Sequence, residues 1–283
     1  MKLNDKKLPL LATCAYLLVL LLSRSISSGS SDLPGWLDPA VAMIAAQVVL
    51  ILVPALLFVW LTKLPVQETL RLHRLGLRQA VKCLLLGFIS WPIFTFLGSV
   101  TTYLLALLWP EKLSATTDAV GQGISPWIIF VTISLITPIC EEVFFRGMLL
   151  SVYEKHIGLR AILPVGILFA LLHLGYDQVL GAAYIGFVAG WVVYQTRSLW
   201  AGMLVHSGCN LVSGLMVFAL SLAASVQETA AQATPEIDLS AALLVSVLVW
   251  GIVGLILMIP TTLLLRSVKN RNFRREQHML GAC

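Results

Sequence analysis

Long uncharged runs separated by short polar breaks form the pattern of this chain. A bilayer hydrocarbon core of ~30 Å needs roughly 20 apolar residues in helical form. Eight runs approach or exceed that length: Leu8 to Ser23, Pro39 to Thr62, Cys83 to Pro110, Gly121 to Cys140, Ala161 to Tyr176, Gln178 to Thr196, Ser198 to Gln227 and Leu239 to Leu265. Pro92 interrupts the third, and the first and fifth are short. A lipid-exposed backbone must satisfy its own hydrogen bonds, so each run predicts a helix. The expected fold is an all-α polytopic membrane protein of about eight transmembrane helices with a polar cavity inside the membrane. Its expected organisation is 1–120, membrane spans with a basic interfacial segment; 121–220, a helical core; and 221–283, a last span and a basic tail.

Composition agrees with the pattern. Of 283 residues, 58% are hydrophobic and only 12% charged, about half the ~25% of a soluble domain. Mean hydropathy is +0.90. A soluble enzyme, a DNA-binding domain and a disordered chain are excluded, because too few polar residues exist to cover a fold of this size. The net charge of +5 is an orientation signal. With both termini in the cytoplasm, eight spans put every basic residue except Arg24, Lys112 and Arg146 on the inside, as the positive-inside rule requires. The outside loops then collect Asp32, Asp38, Glu111, Asp118, Asp177, Glu228, Glu236 and Asp238. No nucleic-acid partner is expected; the lipid bilayer is. Gln67 to Lys82 and the tail from Arg266 to Arg275 read as anchors on anionic lipid. The first run, preceded by Lys2, Lys6 and Lys7, has a signal peptide as its rival reading. The five cysteines show no pairing rhythm and read as small apolar residues.

Ionisable groups inside spans are costly and usually functional. Four places stand out: Glu141, Glu142 and Arg146; His173, four residues after Phe169; His206, four residues before Asn210; and the loop residue Asp177. Glu142 and Arg146 are spaced i,i+4 in the favourable acid-first order, so an ion pair is expected. Glu141 points about 100° away from Glu142 and is left as a candidate general base for a polarised water. His206 and Asn210 share a helix face and could donate to an oxyanion, or could tie helices together as polar glue. Separate burials would each need their own partners, so convergence on one pocket is the simplest arrangement. Depth is the difficulty. His173 lies ~20 Å of helix from Arg160, but His206 is only about eight residues from Ser198.

The motifs EExxxR (Glu141, Glu142, Arg146), FxxxH (Phe169, His173) and HxxxN (His206, Asn210) resemble, in order and spacing, those of the CPBP family of intramembrane proteases, the CAAX-protease and bacteriocin-processing or Abi family. The resemblance covers residues 141 to 210. It implies an endopeptidase cutting a membrane-associated peptide or protein near its C-terminus or leader. It implies Glu141 and His173 as the pair that activates water, His206 and Asn210 as the oxyanion site, and Glu142 and Arg146 as supports. No cofactor is expected. The rival is zinc on Glu141, His173 and His206. The rival functions are a non-catalytic membrane scaffold or chaperone of the same family and a proton-coupled transporter. The expected location is a prokaryotic inner membrane.

Overall fold

The computed structural model describes residues 5–28, 38–109, 124–173, 178–227 and 239–268. Among these there is no strand, and the architecture is a helical bundle. Its rods are α1 (Leu8–Ser28), α2 (Pro39–Leu61), α3 (Leu77–Leu108), α4 (126–157), α5 (Ile162–Leu172), α6 (Val179–Thr196), α7 (Leu199–Gln227) and α8 (Leu239–Ser267). Seven segments among the described residues are long and apolar enough to cross a membrane. One of them, Pro126–Leu172, has 47 residues; at 1.5 Å per residue it would be ~70 Å long. It is in fact two rods. The chain reverses at Gly158, whose φ of 57° and ψ of −138° suit a residue without a Cβ.

The fifth expected run is therefore corrected in length. α5 has 11 residues, about 17 Å of helix, and His173 is its C-cap. Asp177 lies outside the described residues. α5 and α6 form a hairpin that starts and finishes at the same end of the bundle.

At that end the interspan segments meet. Arg71, between α2 and α3, and Arg197, between α6 and α7, both pair with Glu154 of α4. His156 contacts the Asp5 carbonyl at 3.1 Å, and Lys82 donates to the Ser267 carbonyl. Arg71 is buried, so the segment Gln67 to Lys82 does more than rest on lipid: its best-placed base turns inward to Glu154.

α4 is the central rod. Residues 140–152 are buried without a break, which is what helix-borne charges demand when the solvent is hydrocarbon. α1 covers it through Leu8, Ala12, Tyr16 and Val19, with Tyr16 donating to the Leu168 carbonyl at 2.8 Å. α8, by contrast, presents Val245, Leu248, Ile252, Leu255 and Ile259 outward, as a lipid-facing helix should. α3 crosses α7 at close range through Gly87 and Gly208, a small-residue contact typical of membrane bundles.

A side chain at Gly87 would collide with the Val205 carbonyl and stand 2.9 Å from the Cys209 amide, both backbone atoms. Gly87→Ala is expected to destabilise by about 1–3 kcal/mol, read as a lower Tm in detergent. Gly76→Ala, which meets nothing within 4 Å at the N-cap of α3, should lower Tm less, by the cost of a weaker cap alone.

Candidate active site

Glu141 and Glu142 stand in the middle of α4, on consecutive residues and therefore on different faces. Glu142 meets Arg146 one turn on: Arg146 Nη1 donates to Glu142 Oε1 at 2.6 Å, and both side chains are inaccessible to solvent. Arg146 Nη2 donates to the Gly186 carbonyl of α6 at 2.9 Å. The flat guanidinium face lies 4.6 Å from the Phe169 ring centroid, a cation–π contact with the desolvation that makes such contacts effective. The expected ion pair is present, and it is a clamp joining three helices.

The third helix is α7. His206 Nδ1 lies 3.1 Å from the same Glu142 oxygen. A carboxylate only accepts, so the attraction requires a proton on Nδ1. The opposite edge of that imidazole faces Glu141, with Nε2 3.8 Å from Glu141 Oε2. One His thus stands between two adjacent carboxylates, touching one and facing the other. Glu142 sits so close to α7 that a methyl group at Gly202 would collide with its Oε2.

His173 approaches Glu141 from the other side, with Nε2 4.0 Å from Oε1. Its Nδ1 is 2.9 Å from the Phe169 carbonyl. A carbonyl also only accepts, so Nδ1 carries a hydrogen, and Nε2 is the ring nitrogen turned toward Glu141. His173 is the more open of the two imidazoles, its side chain 25% exposed against 4% for His206. The depth difficulty is resolved by the early end of α5, which delivers His173 from a helix terminus at the level of Glu141.

Phe169 joins these groups. Its ring centroid is 4.8 Å from that of His173, 5.5 Å from that of His206 and 5.0 Å from that of Phe145. From the sequence it is only the first letter of a motif. In the fold it is the apolar wall against which Arg146 and both imidazoles rest.

Asn210 is one turn beyond His206, and its amide donates to the Ile133 carbonyl of α4 at 3.1 Å. The backbone explains why that carbonyl is available. Thr132–Ile136 forms a wide turn in which the Thr137 amide bonds Thr132. The next donor that could reach Ile133 in this register is residue 138, a proline, which has no N–H. Asn210 supplies the missing hydrogen with one of its two N–H bonds. A second wide turn, Val143–Leu149, carries Arg146; such turns are often found at functional sites.

Glu141, His173 and His206 are thus brought together, and Glu142 and Arg146 brace them. Asn210 is on the same face of α7 but is also a tether. Glu141 Oε2 is buried without a hydrogen-bond partner, although it lies opposite an imidazole. That spacing suits a small molecule gripped between carboxylate and ring nitrogens. The described residues contain no group of three or more His, Cys, Asp or Glu arranged to hold a metal ion.

Residues 123–212 match the family model described as Type II CAAX prenyl endopeptidase Rce1-like. The match bears out the family resemblance carried by the three motifs, and it supports membrane protease activity on a membrane-associated protein substrate. No curated protein and no solved structure matches the chain.

Removing one member of a buried ion pair costs about 3–5 kcal/mol, whereas replacing both by apolar or neutral isosteres is often tolerated. Arg146→Ala should lower thermal stability in detergent by that amount. Glu142→Gln combined with Arg146→Met should recover part of it.

Proposed function

With residues 123–212 matching a CAAX-protease model, we propose that the chain is an intramembrane endopeptidase that uses Glu141 as its general base. The observation that carries this reading is the buried Glu141 carboxylate facing two imidazole Nε2 atoms at 3.8 and 4.0 Å without hydrogen-bonding to either.

A water held there gives one hydrogen to Glu141 and the other to the lone pair of His173. Its oxygen is then directed at the scissile carbonyl carbon. Attack forms a C–O bond while Glu141 takes the proton. The carbonyl oxygen becomes an oxyanion, which needs donors at the moment its charge develops. His206 donates from Nε2 as the imidazolium, because its Nδ1 proton is engaged by Glu142. Asn210 offers its second N–H. Glu141 returns the proton to the leaving amine as the C–N bond breaks. Glu142 and Arg146 are positioning residues: they fix the tautomer and tilt of His206 and touch no reacting atom.

The proposed mechanism is metal-free. In the zinc alternative Glu141, His173 and His206 would be the ligands, and Glu141 could not also act freely as the base. The proposed orientation puts both termini and the Glu154 end of the bundle in the cytoplasm, a reading supported by the distribution of Lys and Arg; the proposed location is a prokaryotic inner membrane, a reading supported by the short loops.

Glu141→Gln keeps the shape of the side chain and removes its basicity. It should reduce cleavage of a membrane-associated substrate by roughly 10²–10⁴-fold, with insertion and Tm retained. Processing at the wild-type rate would show that Glu141 is not the base. Chelation separates the two chemistries: activity should survive 1,10-phenanthroline and EDTA, and loss restored by zinc would favour the metal site.

A further inference from the structure

A cavity of about 310 Å³ opens at the Glu154 end of the bundle, lined among others by Glu68, Arg71, His73, Glu154, Lys155 and Arg197. It lies where α4 and α6 end, at the level expected of lipid headgroups, and none of its lining residues belongs to the site above. Three full cations there face two carboxylates, and Glu154 is shared by Arg71 and Arg197. The cavity therefore keeps an excess of positive charge.

Arg71 is the unusual member. It is 4% exposed, its Nε donates to Ser151 at 3.0 Å and its Nη2 pairs with Glu154. Its Nη1 is buried with no hydrogen-bond partner. Burial lowers the proton affinity of the guanidinium from its ordinary value, and the Glu154 charge opposes that. A buried N–H without an acceptor is costly, so Arg71 keeps donor capacity that Ser151 and Glu154 do not use.

The backbone is also strained here. Arg71 and Arg197 are two of the three non-glycine residues with positive φ among the described residues, at 52° and 58°. Arg197 adopts it as the left-handed residue that ends α6, its amide donating to the Val193 carbonyl at 2.9 Å, whereas Arg71 is held from outside. The surroundings are evident: the Leu199 amide donates to the Arg71 carbonyl at 3.0 Å, and Ser198 Oγ donates to the His73 carbonyl at 2.7 Å. These bonds hold two loops, distant in sequence, so that both arginines reach one carboxylate.

We propose that this cavity binds a phosphate-bearing anion, with Arg71, Lys155 and Arg197 as its cationic partners. The phosphate can come from an anionic lipid headgroup or from solution, since both present the same acceptor oxygens. Basic pockets between spans on the side that carries the positive charges suit such headgroups.

The test uses the full chain in phosphatidylcholine nanodiscs, with thermal unfolding as the readout. One arm adds inorganic phosphate at constant ionic strength; the other includes phosphatidic acid in the disc. A rise in Tm in the lipid arm assigns the site to a headgroup, and a rise with inorganic phosphate assigns it to a free anion. Lys155→Glu changes two units of charge at ~1 kcal/mol each, so the apparent affinity should fall roughly 30-fold. Its Tm in phosphatidylcholine alone is its own baseline, against which the shift on adding either ligand is read, because a charge reversal in the last turn of α4 can itself move Tm. Arg78→Glu, an exposed base at the same end but outside the cavity, should keep the response. Absence of any rise in both arms, or equal loss in the two variants, overturns the proposal. Should Lys155→Glu fail to insert, Lys155→Ala replaces it, with an expected loss of about fivefold.

Discussion

The ion pair between Glu142 and Arg146 holds the centre of this protein together. Two opposite charges sit inside α4 with no solvent at either side chain. Isolated in hydrocarbon, each would be prohibitively expensive. Paired at i,i+4, they still leave donors and lone pairs over, and the neighbouring rods supply partners for several of them: the Gly186 carbonyl from α6, His206 from α7 and the Phe169 ring from α5. The bundle is assembled around a charge that cannot be exposed to lipid, which is why α4 is central and α8 is left outside. Coulomb attraction fixes the pair, but the bonds left over fix which helices surround it.

The same arrangement divides the work of two adjacent glutamates. Helical geometry alone sends them in different directions. Glu142 is consumed by Arg146 and His206. Glu141 has a buried oxygen with no hydrogen bond and faces two ring nitrogens. One imidazole reports on both carboxylates, because Nδ1 meets Glu142 and Nε2 faces Glu141. Orientation of the ring by the first is therefore coupled to reactivity beside the second.

Backbone irregularity contributes as much as side chains do. Pro138 cannot give a hydrogen to the turn before it, and the helix widens there. The Ile133 carbonyl that is released becomes the acceptor for Asn210. Asn210 is thereby a structural tether as well as a proposed oxyanion donor, and loss of function on its removal would have two causes. At the far end of the bundle, hydrogen bonds between loops fix the positive-φ conformation of Arg71, and Arg197 takes its own as the left-handed end of α6.

Much of this was legible before any coordinates. Runs of apolar residues identified the rods, because hydrocarbon tolerates no unpaired backbone. The rarity of charge within them singled out Glu141, Glu142, Arg146 and the two histidines, and i,i+4 spacing sufficed for the Glu142–Arg146 pair, since one helix contains both partners. What the chain order left open was everything that depends on how rods are placed against one another. The early end of α5 put His173 at the depth of Glu141. Phe169 became the common wall, Asn210 was drawn to Ile133, and Arg71 turned away from lipid to Glu154. Local periodicity fixes directions within a helix; contact between helices depends on crossing, depth and rotation, which the pattern of a single helix does not carry.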